Sequence, residues 1–170
     1  MPHQACSCDD AALLLASRRV AEAAGASGVW LATAESCTGG WIAKCLTDLA
    51  GSSAWFRGGL VSYSNEAKRG LLGVQAQALQ THGAVSEVVV RQMAEGACRA
   101  MQADRTVAVS GIAGPGGGSA HKPVGTVWIA WAAAGLTTRA ECFHFAGDRE
   151  AVRRQSVLAA LTGLEKTLTG

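Results

Sequence analysis

A chain of 170 residues, 49% hydrophobic and 16% charged, can fill one sizeable core and is too apolar to stay disordered. A net charge of +2 without any Lys/Arg block excludes nucleic acid and anionic membranes as electrostatic partners. The longest apolar stretch, residues 124–136, is shorter than the ~20 residues of a membrane span, and residues 1–10 lack the basic-then-apolar order of a signal peptide, so a cytoplasmic protein is expected.

Residues 1–10 read as a flexible N-terminal tail and residues 11–170 as a single domain without internal repeats. Leu13, Val20, Ala21 and Ala24 share one face of a helix that stops near Gly25. A strand then runs from Val29 to Glu35, and a helix over residues 38–49 carries Trp41, Ile42, Cys45, Leu46 and Leu49 at helical spacing. After Gly51-Ser52-Ser53, residues 56–64 form a second strand, with a bulge or close backbone approach at Gly58-Gly59. Two short helices (65–72, 75–82) and a longer one (86–103) follow, the last with Ser86 as N-cap and Val89, Met93, Ala97 and Met101 four apart. The β-branched segment 106–109 empties into the glycine-rich run 110–119. Residues 124–132 and 137–145 make a hairpin through Ala134-Gly135, and a final helix over 149–168 turns Val157, Leu161, Leu164 and Leu168 inward. Strands alternating with helices and then a hairpin predict an α/β fold, a three-layer α/β/α sandwich with a mixed sheet.

In an open α/β sheet, ligands bind outside the carboxyl ends of the strands. Three turns leave strands there: 35–40, 63–68 and 110–119. The first holds Ser36 between a strand and a helix whose unpaired N–H groups are expected to face the reaction. A serine hydroxyl needs a base, and none of His3, His82, His121 or His144 is placed to serve. Lys68 fits better, because it lies one turn past a strand at the start of a helix, where the dipole disfavours an ammonium. An unperturbed lysine near pKa 10.4 is neutral in only ~1 molecule in 2,500 at pH 7, so burial or nearby cations must lower it. Tyr63, five residues upstream, can pass the proton or donate to an oxyanion. Cys37 is a rival nucleophile that spacing alone does not dismiss.

The glycine-rich run offers consecutive N–H groups to an anion, yet matches neither a nucleoside-triphosphate loop nor a dinucleotide fingerprint. Arg149 can clamp a phosphate bidentately or make a surface ion pair. Of six cysteines only Cys6 and Cys8 lie close together, and no histidine pair completes a metal set. No metal or cofactor is expected.

The segments Ala34-Glu35-Ser36-Cys37-Thr38-Gly39-Gly40, Gly51-Ser52-Ser53-Ala54-Trp55-Phe56, Tyr63-Ser64-Asn65-Glu66-Ala67-Lys68, Gly83-Ala84-Val85-Ser86, Ser110-Gly111-Ile112-Ala113-Gly114-Pro115, Lys122-Pro123-Val124-Gly125-Thr126-Val127 and Gly147-Asp148-Arg149 resemble the CinA C-terminal domain family, and within it the stand-alone nicotinamide-nucleotide amidases. One departure is Gly116, where an acidic residue often follows the proline in that family. The resemblance implies hydrolysis of nicotinamide mononucleotide to nicotinate mononucleotide and ammonia, a step of pyridine nucleotide salvage. It further implies a metal-free serine–lysine mechanism and a homo-oligomer, a dimer being favoured. Ser36 then matches the nucleophile, Tyr63 and Lys68 the activating pair, and Thr38, Gly39, Gly40, Asn65, Ser110, Gly111 and Arg149 substrate-binding positions. An amidohydrolase of another small amide and a non-catalytic nucleotide-binding regulatory module are the alternatives.

Overall fold

Helix α1, Asp10–Ser27, begins where the Asp9 carboxylate accepts the Ala12 N–H, satisfying one of the orphan donors of a helix start. It runs past the expected stop at Gly25, which faces solvent, and ends at Gly28, whose left-handed backbone (φ 65°) lets its N–H reach the Ala24 carbonyl. The computed structural model describes residues 8–170, so residues 1–7 of the expected tail, Cys6 included, lie outside the described residues.

Five strands form one sheet: β1 (Leu31–Glu35), β2 (Phe56–Val61), β3 (Arg105–Gly111), β4 (Thr126–Ala133) and β5 (Arg139–His144). Their order is β2-β1-β3-β4-β5, parallel across β2, β1 and β3 and antiparallel from β3 to β5. The sheet is mixed, as the alternation of elements predicts. Helices α1, α2 (Trp41–Thr47) and α6 (Arg149–Thr169) cover one face, and α3 (Asn65–Leu72), α4 (Ala76–His82) and α5 (Glu87–Met101) the other. Two apolar cores result. Leu31, Val107, Val109 and Ile129 pack towards α1 and α6, while Ala34, Ala108 and Ala130 pack towards α5. Small residues on the α5 side bring that helix close to the sheet.

Two boundaries differ from expectation for reasons that bear on function. Helix α2 starts at Trp41 because Gly39 and Gly40 take φ of 62° and 96°, a region closed to most side chains, and so break helical geometry. Strand β2 ends at Val61 because Ser64 turns out of it to cap α3, its hydroxyl accepting the Ala67 N–H. Helix α3 in turn sits directly on α5: a Cβ at Gly96 would run into the Leu72 carbonyl. That close approach fixes the depth at which α3 delivers its side chains. Among the described residues, no helix is long and apolar enough to cross a membrane.

Candidate active site

Side chains alternate across a strand, and the alternation of β1 continues one residue beyond its end. Ala32 and Ala34 point to the α5 side, and Ser36 follows them, whereas Cys37 enters the core beneath α6. From α3, on the same side as Ser36, Lys68 reaches inward until Nζ lies 3.0 Å from Ser36 Oγ. Lys68 is 1% exposed.

Its ammonium donates to Ser36 Oγ, to the Ser62 carbonyl at 2.7 Å and to the Tyr63 carbonyl at 3.2 Å. An ammonium has three N–H groups, and each has an acceptor. Loss of one proton leaves two N–H groups for the two carbonyls and a lone pair facing the Ser36 hydroxyl, which then becomes the donor. Burial pushes the Lys68 pKa below the ordinary lysine value, with the Cys37 thiol acting in the opposite direction. The arrangement can therefore hold an amine that shifts between proton donor and proton acceptor beside one alcohol.

Ser36, Cys37, Tyr63, Lys68, Ser110 and Arg149 line a cavity of about 210 Å³ together with Ala84, Val85, Gly111 and Ala113. The three turns that leave β1, β2 and β3 thus meet, as their shared exit from the sheet predicts.

Glu35 explains how the turn that carries Ser36 is built. The carboxylate is fully buried and accepts from Thr38 Oγ1 (2.6 Å), Ala43 N (2.8 Å), Ile42 N (3.0 Å), Gly40 N (3.1 Å) and Thr33 Oγ1 (3.4 Å). The expectation that the N–H groups opening α2 face a substrate is corrected here, because Glu35 takes them. Thr38, Gly39 and Gly40 likewise stand outside the cavity lining. Thr38 spends its hydroxyl on Glu35, and the two glycines supply the turn's backbone angles. Replacing Glu35 by Gln puts an amide NH₂ against these donors. We expect Glu35→Gln to lose on the order of 3 kcal/mol, read as a lower urea midpoint at unchanged slope; an unchanged midpoint would contradict this role.

Tyr63 departs from the expected relay. It is 65% exposed, its hydroxyl accepts from Arg149 Nη2 at 3.3 Å, and only its backbone carbonyl meets Lys68. Since Lys68 touches Ser36 directly, no relay is required. Arg149 also donates to the Gly114 carbonyl at 2.7 Å, joining the glycine loop to the start of α6. Ser110 is buried and its hydroxyl donates to the Ala84 carbonyl at 2.8 Å, holding the 83–86 loop at the cavity wall. Gly111 packs against β4, where a Cβ would stand 2.6 Å from Val127 Cγ2. Asn65 is exposed at the first turn of α3 and does not line the cavity. Cys37 is buried, and desolvation pushes its thiol up to about 11, so it stays protonated at neutral pH and is the weaker candidate nucleophile. The described Cys37, Cys45, Cys98 and Cys142 all carry free thiols.

Two residues to which sequence reasoning assigned no role stand out. Glu35 is one, and the only sequence signal for it is the acidic residue immediately before the serine. Arg153 is the other: its Nε and Nη2 donate to the Cys37 and Thr38 carbonyls at 3.0 and 3.1 Å.

The chain thus folds as a three-layer α/β/α sandwich that sets a buried lysine against a serine hydroxyl at the carboxyl end of a parallel strand. The chain belongs to the CinA C-terminal domain family, whose model matches residues 15–168. It is 57% identical over 158 residues to the nicotinamide-nucleotide amidohydrolase PncC of Escherichia coli K12, covering 91% of this chain and 94% of that one. A PncC of Pseudomonas putida is also 57% identical, over 132 residues, covering 78% and 82%. Among solved structures, the competence/damage inducible protein CihA of Agrobacterium tumefaciens superposes with a TM-score of 0.88 at 43% identity, covering 94% of this chain and 96% of that one. The competence damage-inducible protein A of Klebsiella pneumoniae gives 0.89 at 43% identity, covering 92% and 97%.

Proposed function

We propose that this protein is an amidohydrolase that converts nicotinamide mononucleotide to nicotinate mononucleotide and ammonia, with Ser36 as nucleophile and Lys68 as base. The observation that carries the reading is the 3.0 Å contact between Lys68 Nζ and Ser36 Oγ, buried at the foot of the cavity. The 57% identity to relatives named for this activity, over nearly the whole chain, supports the substrate.

Neutral Lys68 takes the Ser36 proton as Oγ attacks the carboxamide carbon. The resulting oxyanion is met by backbone N–H groups that line the cavity, at Cys37 or at Ser110 and Gly111; one such donor is typically worth ~3–4 kcal/mol. The carbon–nitrogen bond then breaks, and the Lys68 ammonium gives its proton to the departing nitrogen, releasing ammonia. Water attacks the acyl-enzyme, Lys68 accepts its proton, and the ester bond breaks as that proton returns to Ser36 Oγ. Only water and groups of this chain enter this sequence.

The cavity of about 210 Å³ takes an aromatic carboxamide, and the ribose phosphate extends past its mouth towards Arg149, Tyr63 and the glycine loop. Binding energy from that remote part positions the amide and is expressed as rate. Ammonia release from nicotinamide mononucleotide, its riboside and free nicotinamide tests this. The expected result is the highest kcat/KM for the mononucleotide; equal turnover of all three would place the specificity elsewhere, and binding without turnover would make the chain a nucleotide-binding module.

A further inference from the structure

We infer that Arg153, which the reaction above leaves unused, is a positioning residue that sets the peptide groups of the nucleophile turn for attack. The inference rests on Ser36 being the nucleophile. Arg149 and Arg153 are four residues apart on α6 and so share one face of the helix. Arg149 reaches the cavity rim, whereas Arg153 crosses to the turn itself and grips two successive carbonyls, those of Cys37 and Thr38. A planar guanidinium offers two donors at fixed separation, which a lysine cannot do. The group also lies 5.4 Å from the centre of the Trp41 ring, which limits its swing.

The geometric consequence is specific. In a trans peptide the C=O and the next N–H point to opposite sides. With the Cys37 carbonyl held by Arg153, the Thr38 N–H is turned to the other side, so the plane of the peptide that follows Cys37 is fixed. Glu35 anchors the donors of the same segment from below. The turn is thus pinned on its donor side by a carboxylate and on its acceptor side by a guanidinium. The Ser36–Cys37 segment, which lines the cavity, is thereby held in one orientation for attack.

The test compares wild type with Arg153→Gln, Arg153→Lys and Arg153→Ala, using nicotinamide mononucleotide turnover and the rate at which a fluorophosphonate labels Ser36, read by mass spectrometry. We expect kcat to fall about 100-fold in all three, KM to change less than about threefold, Ser36 labelling to slow in parallel, and added guanidinium to restore part of kcat in Arg153→Ala only. Unchanged kcat, or a raised KM at unchanged kcat, would overturn the inference, the latter making Arg153 a substrate contact. So would a loss that merely follows a lower melting temperature and resists guanidinium. A wild type that labels at Ser36 but releases no ammonia defeats the substrate reading alone, leaving Arg153 to be judged by labelling. One that does neither defeats both.

Discussion

Ser36→Ala is expected to lower ammonia release from nicotinamide mononucleotide by at least ~10⁴-fold, the scale of losing a nucleophile in a concerted catalytic set, while Cys37→Ala stays within about tenfold of wild type. The two residues are neighbours in sequence and opposites in space. Strand alternation sends Ser36 to Lys68 and Cys37 into the core beneath α6, where desolvation keeps the thiol protonated. Among the described residues the side chain hydrogen-bonded to Ser36 Oγ is that of Lys68, and Ser36→Ala removes a single oxygen atom, so the variant is expected to fold. Ammonia assays with matched melting curves decide the matter. Full activity in Ser36→Ala, or loss in Cys37→Ala with the fold intact, would reverse the assignment.

Lys68→Met is expected to abolish turnover to a similar degree and to carry a signature in stability that a surface lysine would lack. The lysine's pKa in the folded chain is pushed below its unfolded value by burial, so the unfolded state holds its proton more tightly. The cost of keeping Lys68 in the fold is therefore fully present below the folded pKa. It shrinks as pH rises from there and is gone above the unfolded value near ~10.4. Relative to wild type, Lys68→Met should gain stability at neutral and acidic pH, with the gain vanishing in alkali; urea unfolding across the pH range measures it. Lys68→Arg, whose guanidinium does not deprotonate, should be as inactive as Lys68→Met. In wild type, kcat/KM should rise with pH through a midpoint below the ordinary lysine range. A gain in stability independent of pH, or an active Lys68→Arg, would contradict the role of base.

The alternation of strands and helices followed by a hairpin was enough to read the sandwich, and Leu31, Val107, Val109 and Ile129 do pack on one face of the sheet while Val89, Met93 and Ala97 cover the other. The nearness of Ser36 to Lys68 was foreseeable as well, since parallel strands deliver their exit turns to one end of the sheet. What stayed hidden depends on side-chain direction. An acidic residue before a serine reads equally well as solvated, and only the coordinates show Glu35 turned inward to collect the donors that open α2. Tyr63 shares a turn with Lys68, yet its ring points to Arg149 because the chain leaves β2 to let Ser64 cap α3. Arg153 lies 116 residues from Cys37, a separation that no local pattern bridges.

Titration of lysine ε-carbons by NMR in ¹³C-labelled protein, with Lys68 identified as the resonance absent from Lys68→Met, measures most directly whether the buried amine is available as a base. A midpoint clearly below the ~10.4 of an ordinary lysine, matching the acid limb of kcat/KM, is the predicted result. A Lys68 that remains charged throughout the pH range in which the enzyme works, with no limb of the rate profile following it, would contradict it.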